Sequence, residues 1–408
     1  MSIRQMFGGS IVKPGFSSLV EPSGPIVDYE GLYSWGLNVY GQLGLGNTTA
    51  RSSPVQVGAL TTWASTAHAG IHTIAIKTDG TLWAWGYNAH GELGIGDITN
   101  RSSPVQVGAL TNWLRAACGQ YHSVAVKTDG TLWSWGYNVY GQLGLGNTTD
   151  RSSPVQVGAL TTWYSISGGG SYTVAVKTDG TFWSWGRSDN GQLGLNNTST
   201  YSSPKQVGAL TNWLQAACGY KHTIAIKTDG TLWAWGRNDD GNLGLGDTTN
   251  RSSPVQVGAL TTWASTACGV NYTIAIKTDG TLWAWGFNIV GNLGLGDTAN
   301  RSSPVQVGAL TTWASTACGS NHTLAIKTDG TLWAWGQNNE GQLGLGNTTD
   351  RSSPVQVGAL TTWYSTAAKS TQNSAISATV TPPEYTQYTG IWTLPQVNAA
   401  VEAGTWPA

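Results

Sequence analysis

Imidazole and thiol side chains recur along the sequence at a spacing of fifty residues, and both groups bind transition metals. Four repeats carry a histidine at one position where three others carry tyrosine or glutamine: His72, His122, His222 and His322, against Tyr172, Tyr272 and Gln372. Neither tyrosine nor glutamine replaces imidazole as a metal ligand, so the pattern predicts a hydrogen-bonding role at the start of a strand. The cysteines also share one position and form no C-x-x-C pair: Cys118, Cys218, Cys268 and Cys318. We therefore expect buried, reduced cysteines and no metal site.

A glycine-rich hexapeptide and a repeated aspartate are two further candidates for chemistry. Gly41–Gly46 lacks the Lys-Ser/Thr that follows in a phosphate-binding loop, and no helix follows it to present amides to a phosphate. The hexapeptide recurs in seven copies, which favours a turn that defines each repeat. Asp79 and its five equivalents stand in Thr-Asp-Gly segments that favour tight turns over paired catalytic carboxylates. The sequence therefore predicts a protein that is not an enzyme and binds no cofactor.

The composition excludes further classes of function. The chain has 408 residues, 10% of them charged, and a formal net charge of −1. Because no basic surplus is available to neutralise phosphates, we expect no nucleic-acid partner. No apolar run approaches the roughly 20 residues that span a bilayer, so we expect no membrane span. The 55 glycines and 22 tryptophans, against 4 phenylalanines and 2 methionines, indicate many turns and packed indoles.

The candidate residues must be positioned by a tandem repeat with a period of 50 residues. Trp-Gly recurs seven times in one register, from Trp35 to Trp335, with no insertion or deletion between copies. Near it, Thr73–Lys77 and Leu82–Trp85 alternate large apolar with small or polar residues, and the Thr-Asp-Gly segment between them favours a hairpin turn. Two more short strands fit each repeat, so one repeat supplies the four strands of a propeller blade.

The two ends of the repeat region predict how the ring closes. Leu32–Gly36 is a Trp-Gly strand without a preceding partner, whereas Ser374–Ser377 is an equivalent of the preceding strand without a following one. Pairing them completes a seventh four-stranded blade and removes two exposed sheet edges. We therefore predict an all-β, seven-bladed propeller over residues 31–380. An irregular N-terminal arm is expected over 1–30, and a C-terminal docking tail over 381–408.

Several segments of each repeat resemble the regulator-of-chromosome-condensation repeat, among them Gly80–Asn88, Gly91–Gly96 and Cys118–Ala125. The resemblance implies a seven-bladed propeller closed by strands from both ends. It does not define a function, because members of that family include a guanine-nucleotide exchange factor that binds chromatin, a plant ultraviolet photoreceptor and a secreted inhibitor of β-lactamases. The Gly-Trp-Arg-His-Thr motif of the photoreceptor is absent, and the uninterrupted repeats lack the inserted β-wedge of the exchange factor.

Differences between the near-identical repeats select the candidate interaction residues. They concentrate in two windows, one directly after Trp-Gly and one before the Ile-Ala-Ile strand. Loops at blade ends lie on propeller faces, where binding usually occurs, and Tyr and Arg are efficient interface residues. The candidates in these windows are Tyr40, Tyr87, His90, Tyr121, Tyr140, Arg187, Tyr220, Lys221, Arg237 and Phe287. Neutral drift in exposed turns is the alternative explanation for the differences.

The last residues of the chain carry a second resemblance. The segments Gly390–Leu394 and Ala403–Pro407, which contain Trp392 and Trp406, are similar to the ends of structural proteins of tailed phages. The sequence therefore predicts a non-enzymatic interaction scaffold located in a phage virion, which presents its loops to a host surface or to neighbouring subunits. Two alternatives remain open, a cytoplasmic regulator of a small GTPase and a propeller-type enzyme inhibitor. A tail that folds back over its own propeller is the other explanation for the two tryptophans.

Overall fold

The alternating segments of each repeat form β-strands, as the sequence predicts. A computed structural model describes residues 26–68 and 70–381, and every regular element in these residues is a β-strand. Twenty-eight strands form seven antiparallel sheets of four strands each. The predicted all-β, seven-bladed propeller is confirmed. The part of the chain that the structure describes contains no helix long and apolar enough to cross a bilayer.

Each sheet is one blade, and its four strands succeed one another outwards from a central channel. The innermost strands, which contact one another around the channel, are β3 (Trp63–His68), β7 (Trp113–Cys118), β11 (Trp163–Gly168), β15 (Trp213–Cys218), β19 (Trp263–Cys268), β23 (Trp313–Cys318) and β27 (Trp363–Lys369). The second strands are β4 (His72–Lys77), β8 (His122–Lys127), β12 (Tyr172–Lys177), β16 (His222–Lys227), β20 (Tyr272–Lys277), β24 (His322–Lys327) and β28 (Gln372–Thr381). The third strands are β1 (Ile26–Gly36), β5 (Leu82–Gly86), β9 (Leu132–Gly136), β13 (Phe182–Gly186), β17 (Leu232–Gly236), β21 (Leu282–Gly286) and β25 (Leu332–Gly336). The outermost strands are β2 (Arg51–Gln56), β6 (Arg101–Gln106), β10 (Arg151–Gln156), β14 (Tyr201–Gln206), β18 (Arg251–Gln256), β22 (Arg301–Gln306) and β26 (Arg351–Gln356).

The order of strands determines which connections share a face. Blade 1 contains β3–β6, blades 2 to 6 follow along the chain, and blade 7 combines β27, β28, β1 and β2. Because neighbouring strands are antiparallel, the connection between the first and second strands emerges on the same side as the connection between the third and fourth. We call this side the loop face, and in blade 2 it consists of residues 119–121 and 137–150. The Thr-Asp-Gly turns lie on the opposite side.

Blade 7 is built from both ends of the repeat region, because β1 lies between β2 and β28. The backbone N–H of Leu37 donates to the C=O of Thr371 (3.0 Å), and the rings of Tyr33 and Trp363 pack edge to face at 5.3 Å. The predicted closure of the ring is confirmed.

The first strand is longer than the sequence suggested. β1 begins at Ile26, within the segment predicted as an irregular arm, and β28 ends at Thr381. Glu30 lies within β1, and its carboxylate accepts a hydrogen bond from Oγ of Ser377 in β28 (2.6 Å). The rest of the predicted arm and all of the docking tail except residue 381 lie outside the described residues.

A tryptophan of the third strand joins each blade to the preceding one. The indole Nε1 of Trp85 donates to the backbone C=O of Gln42 (2.9 Å), and the six equivalent indoles make the same bond at 2.8–3.1 Å. Gly44 lies against this indole with a φ of +72°, and a Cβ there would lie 2.8 Å from Nε1. The glycine-rich hexapeptide is therefore a turn that leaves room for the tryptophan of the next blade, as its predicted structural role requires.

Candidate functional site

The repeated histidines link neighbouring blades through hydrogen bonds. Nε2 of His72 lies 2.8 Å from Oγ of Ser123 in the next blade. Ser123 donates its own hydrogen to the C=O of Glu92 (2.8 Å), so the serine oxygen accepts from the imidazole. Burial lowers the pKa of His72, and likewise that of His122, to about 3. These rings are therefore neutral donors at physiological pH, and the predicted hydrogen-bonding role is confirmed.

The repeats without histidine make the same link with different atoms. The hydroxyl of Tyr172 donates to the backbone C=O of His222, and Nε2 of Gln372 donates to the backbone C=O of His72 (3.0 Å). All seven blades are thus joined at this position, which explains why histidine, tyrosine and glutamine alternate there. Among the described residues, no group of three or more His, Cys, Asp or Glu side chains is placed to hold a metal ion.

The cysteines line the central channel as free, buried thiols, as predicted. Sγ of Cys118 lies 3.7 Å from the C=O of Ala67 on the neighbouring inner strand, and burial raises the pKa of this thiol to about 12. Across the channel, the ammonium group of Lys369 donates to the carbonyls of Gly168 (3.2 Å) and Cys218 (3.4 Å). The polar groups of Cys118 and Lys369 therefore bond to backbone carbonyls of the channel, which indicates a structural role for both residues.

The two variable windows meet on the loop face and form one continuous set of aromatic rings. Edge-to-face contacts join Tyr40 to Tyr87 (centroids 5.0 Å apart), Tyr87 to Tyr121 (6.3 Å) and Tyr121 to Tyr137 (6.2 Å). His90 packs against Tyr137 at 4.7 Å. These residues come from blades 7, 1 and 2. Together with Tyr140 we call them the tyrosine patch: Tyr40, Tyr87, His90, Tyr121, Tyr137 and Tyr140.

Paired charges border the tyrosine patch on blades 3 and 4. The guanidinium of Arg187 lies over the ring of Tyr140, with its Cζ 4.8 Å from the centroid. Its Nη2 donates to Oδ2 of Asp189 (2.8 Å), and Nζ of Lys221 donates to the same oxygen (3.1 Å). Both predicted cations therefore share one carboxylate, which leaves one positive charge in excess at this edge of the patch.

An open cavity of about 350 Å³ lies on the loop face between the patch and side chains of blades 3 and 4. Its lining includes Tyr137 and four tyrosines of the candidate windows: Tyr87, Tyr121, Tyr140 and Tyr220. Gln120 and Ser171, from the window before the Ile-Ala-Ile strand, add polar groups. Partial burial raises the pKa of Tyr87, Tyr121 and Tyr137, so their hydroxyls stay protonated and can donate hydrogen bonds.

Buried asparagines hold the loops that carry these side chains. Oδ1 of Asn88 accepts from the N–H of Leu93 (2.9 Å), and its Nδ2 donates to the C=O of Asp97 (2.9 Å) and of Thr99 (3.1 Å). Asn88 is fully buried, and an asparagine occupies this position in all repeats except the one with Ser188. The loop backbone is therefore fixed from within, so the aromatic rings are presented by a preorganised frame.

A buried glutamate lies directly beneath the patch, and the sequence analysis did not select it. Oε2 of Glu92 accepts from the backbone N–H of His90 (2.8 Å), while its other oxygen is buried without a hydrogen-bond partner. Burial raises its pKa to about 7. The six equivalent positions hold the neutral amides Gln42, Gln142, Gln192, Asn242, Asn292 and Gln342.

The remaining candidate residues lie apart from the tyrosine patch or beyond the described chain. Nε of Arg237 in blade 4 donates to Oδ2 of Asp239 (2.7 Å), and Phe287 occupies the equivalent loop of blade 5. Trp392 and Trp406 lie outside the described residues. Tyr137 was missed although it stands fifty residues after Tyr87, and that spacing would have found it.

Comparison with known families assigns the repeat. The regulator of chromosome condensation (RCC1) repeat matches seven consecutive segments: residues 30–76, 79–126, 129–176, 179–226, 229–276, 279–326 and 329–369. The chain belongs to the RCC1 repeat family. Its propeller is accordingly a protein-interaction scaffold of the RCC1 type. No curated protein sequence matches the chain significantly.

Solved structures share the fold of this RCC1-type propeller at low sequence identity. Human WBSCR16 is 22% identical, with a TM-score of 0.77, covering 85% of this chain and 98% of its own. Prp20p from Saccharomyces cerevisiae, studied for its binding to Gsp1p and histones, is 19% identical with a TM-score of 0.77, covering 93% and 96% of the two chains. The same yeast protein bound to Kap60 is 18% identical with a TM-score of 0.78, covering 97% and 100%.

Proposed function

We propose that this RCC1-type propeller is a non-enzymatic scaffold that binds a partner through the tyrosine patch on its loop face. The observation that supports this role is the convergence of both variable windows on one continuous aromatic surface. Tyrosines supply large, rigid contact areas with a polar end, and aromatic and arginine side chains dominate the energy of protein interfaces. Differences between repeats also occur on blades 3 to 5, but the tyrosines that contact one another lie on blades 7, 1 and 2, and neutral drift gives no reason for such a cluster.

The setting that we propose is a phage virion, in which the loop face contacts a host surface or neighbouring subunits. The support for this setting is the similarity of the C-terminal sequence to the ends of structural proteins of tailed phages, which gives Trp392 and Trp406 a docking role. A mass-spectrometric inventory of purified particles tests the setting, since a virion component is recovered at fixed stoichiometry. Its absence from particles would contradict the virion location.

The second candidate is a cytoplasmic regulator of a small GTPase. Structural similarity to Prp20p, whose binding to Gsp1p has been studied, favours it at the level of the fold. Accelerated release of a fluorescent guanine nucleotide from a small GTPase would support this candidate over the virion scaffold. The third candidate, an enzyme inhibitor, would bind a purified hydrolase instead.

The test of the interface exchanges patch residues for those of other repeats. The variant Tyr87→Leu/Tyr121→Asn/Tyr137→Gln places the equivalents Leu37, Asn271 and Gln337 on a scaffold that already carries them. Folding should be nearly unchanged, whereas binding to host envelopes or to particles should fall at least tenfold, which corresponds to about 1.4 kcal/mol. The matched control is Phe287→Gln, an exchange at the same repeat position outside the patch. Equal binding by all three proteins would support neutral drift.

A further inference from the structure

The cavity beside the tyrosine patch has the chemical features of a small-molecule site. Its volume of about 350 Å³ lies at the lower end of the range for such sites. Its walls combine aromatic rings from blades 1 and 2 with side chains from blades 3 and 4. A ligand inside would therefore contact four blades at once, next to the cluster of tyrosines.

The polar groups of the cavity are uncharged donors and acceptors. Within the described residues, the hydroxyls of Tyr87, Tyr121 and Tyr137 have no hydrogen-bond partner in the protein, so they are available to a ligand. Gln120 and Ser171 add an amide and a hydroxyl to the lining. An apolar side chain inserted here would cover these groups without pairing them, which is unfavourable.

The permanent charges beside the cavity balance one another, because the two cations Arg187 and Lys221 face the two carboxylates of Asp189 and Asp150. Arg187 is bound to Asp189 at 2.8 Å, and Nδ1 of His90 lies 3.0 Å from Oδ2 of Asp150. An anionic ligand would have to compete with Asp189 for the guanidinium and would also approach Asp150. The electrostatics therefore favour a neutral ligand over a carboxylate or a phosphate.

A neutral, polyhydroxylated ring matches both kinds of group in this cavity. The π face of a tyrosine carries partial negative charge, which attracts the polarised C–H bonds on one face of a pyranose. The hydroxyls of the same ring can exchange hydrogen bonds with the phenols, the amide of Gln120 and the hydroxyl of Ser171. Few other ligand classes present an apolar face and a polar rim in one small, rigid unit.

We propose that the cavity is a saccharide subsite that takes a neutral hexose or N-acetylhexosamine at the end of a surface glycan. This inference rests on the proposed function, because it specifies the chemistry of the surface that the loop face contacts. The edge-to-face contacts between the tyrosines, at 5.0–6.3 Å, hold the rings in place before a ligand arrives. Little ordering is therefore required on binding, which matters for a ligand with few contacts.

The chain contains its own comparison for the cavity. On blade 6, the positions equivalent to Tyr121 and Tyr137 hold Asn321 and Gln337. The loop frame is the same there, but the aromatic walls are missing. Exchange of the cavity residues for these ones removes the proposed stacking surfaces without introducing any residue that is foreign to the scaffold.

The experiment uses the full chain and saturation-transfer NMR, followed by calorimetric titration. The probes are glucose, galactose, mannose, N-acetylglucosamine, N-acetylgalactosamine and disaccharides of each. We expect saturable binding of at least one probe, with affinity reduced at least tenfold in Tyr121→Asn/Tyr137→Gln and unchanged in Phe287→Gln. Gln120→Gly, which copies Gly170, provides a second variant that leaves the rings intact and should also weaken binding. Circular dichroism of each variant confirms that the fold is retained.

Two outcomes would overturn the inference in different ways. If no probe binds the unaltered chain while the patch variants lose binding to host envelopes or particles, the saccharide subsite is wrong and a polypeptide partner takes its place. If a probe binds equally well to the unaltered chain and to Tyr121→Asn/Tyr137→Gln, the sugar lies elsewhere. Failure of the proposed function is separate, because it would leave envelope and particle binding unchanged in every patch variant.

Discussion

Replacement of the buried Glu92 by glutamine should stabilise the propeller, and the gain should depend on pH. The pKa of Glu92 rises from the ordinary 4.5 to about 7 because the carboxyl is buried, with one oxygen unpartnered. Between these values the unfolded chain has already released a proton that the folded state retains, so stability falls as the pH rises. Each pH unit corresponds to about 1.4 kcal/mol, and the full difference is therefore about 3 kcal/mol at pH 8.

The exchange is conservative because neighbouring blades already carry the amide. Oε1 of Gln142 accepts from the N–H of Tyr140 at 2.9 Å, which is the bond that Glu92 makes to His90 at 2.8 Å. Urea unfolding followed by tryptophan fluorescence should give Glu92→Gln an advantage below about 1 kcal/mol at pH 5, growing to about 3 kcal/mol at pH 8. The reverse exchange, Gln142→Glu, should introduce the same pH-dependent loss in blade 2. An advantage that does not change with pH, or a loss of stability in Glu92→Gln, would refute the assignment of the raised pKa to burial.

Two further predictions concern the ring itself. Deletion of residues 1–36 removes β1 and the buried Trp35, so the melting temperature should fall by more than about 10 °C or the protein should aggregate. Deletion of residues 1–25 is the control and should change neither property. Equal melting temperatures for the two truncated proteins would contradict closure of the ring by β1. The pKa of the His122 imidazole is about 3 in the folded protein. Below about pH 6.5 the unfolded state therefore binds a proton at this residue that the folded state does not bind. Stability is thus lost as the pH falls, by about 2 kcal/mol for this residue at pH 5. In a Glu92→Gln background, His122→Gln should reduce the difference in unfolding free energy between pH 7 and pH 5 by that amount, and an unchanged difference would show that the imidazole is not responsible.

The fold was predictable because every structural signal in the sequence occurs in several copies. One Trp-Gly register recurs seven times, so an ambiguous strand in one copy is resolved by the same strand in another. The closure followed from two unpaired segments, Leu32–Gly36 and Ser374–Ser377, which the structure places in one blade. The extension of β1 back to Ile26 was not predictable, since residues 26–31 lack the repeat sequence and pair only through the context of the finished blade.

The candidate site was predictable in position but not in its chemistry. Comparison of repeats selected Tyr87, Tyr121 and Arg187, and antiparallel pairing explains why windows from two different loops meet on one face. Tyr137 escaped selection although Tyr87, at the same repeat position, was selected. Glu92 escaped selection because the sequence does not show that this one carboxylate is buried. Its raised pKa depends on that burial, which only the packed loop reveals.

The links between blades show how a scaffold of near-identical repeats can carry an asymmetric surface. Trp85 bonds to the backbone carbonyl of residue 42, and the equivalent tryptophans bond to carbonyls of Gln, Glu and Asn residues without contacting the atoms in which these side chains differ. Tyr172 likewise bonds to a backbone carbonyl of the next blade, where His122 uses the hydroxyl of Thr173. Because backbone acceptors are present in every repeat, a change in one loop side chain leaves the contact between blades intact. Tyrosines could therefore accumulate on blades 7, 1 and 2 without loss of the ring, which is the condition for a binding surface confined to one sector of a sevenfold repeat.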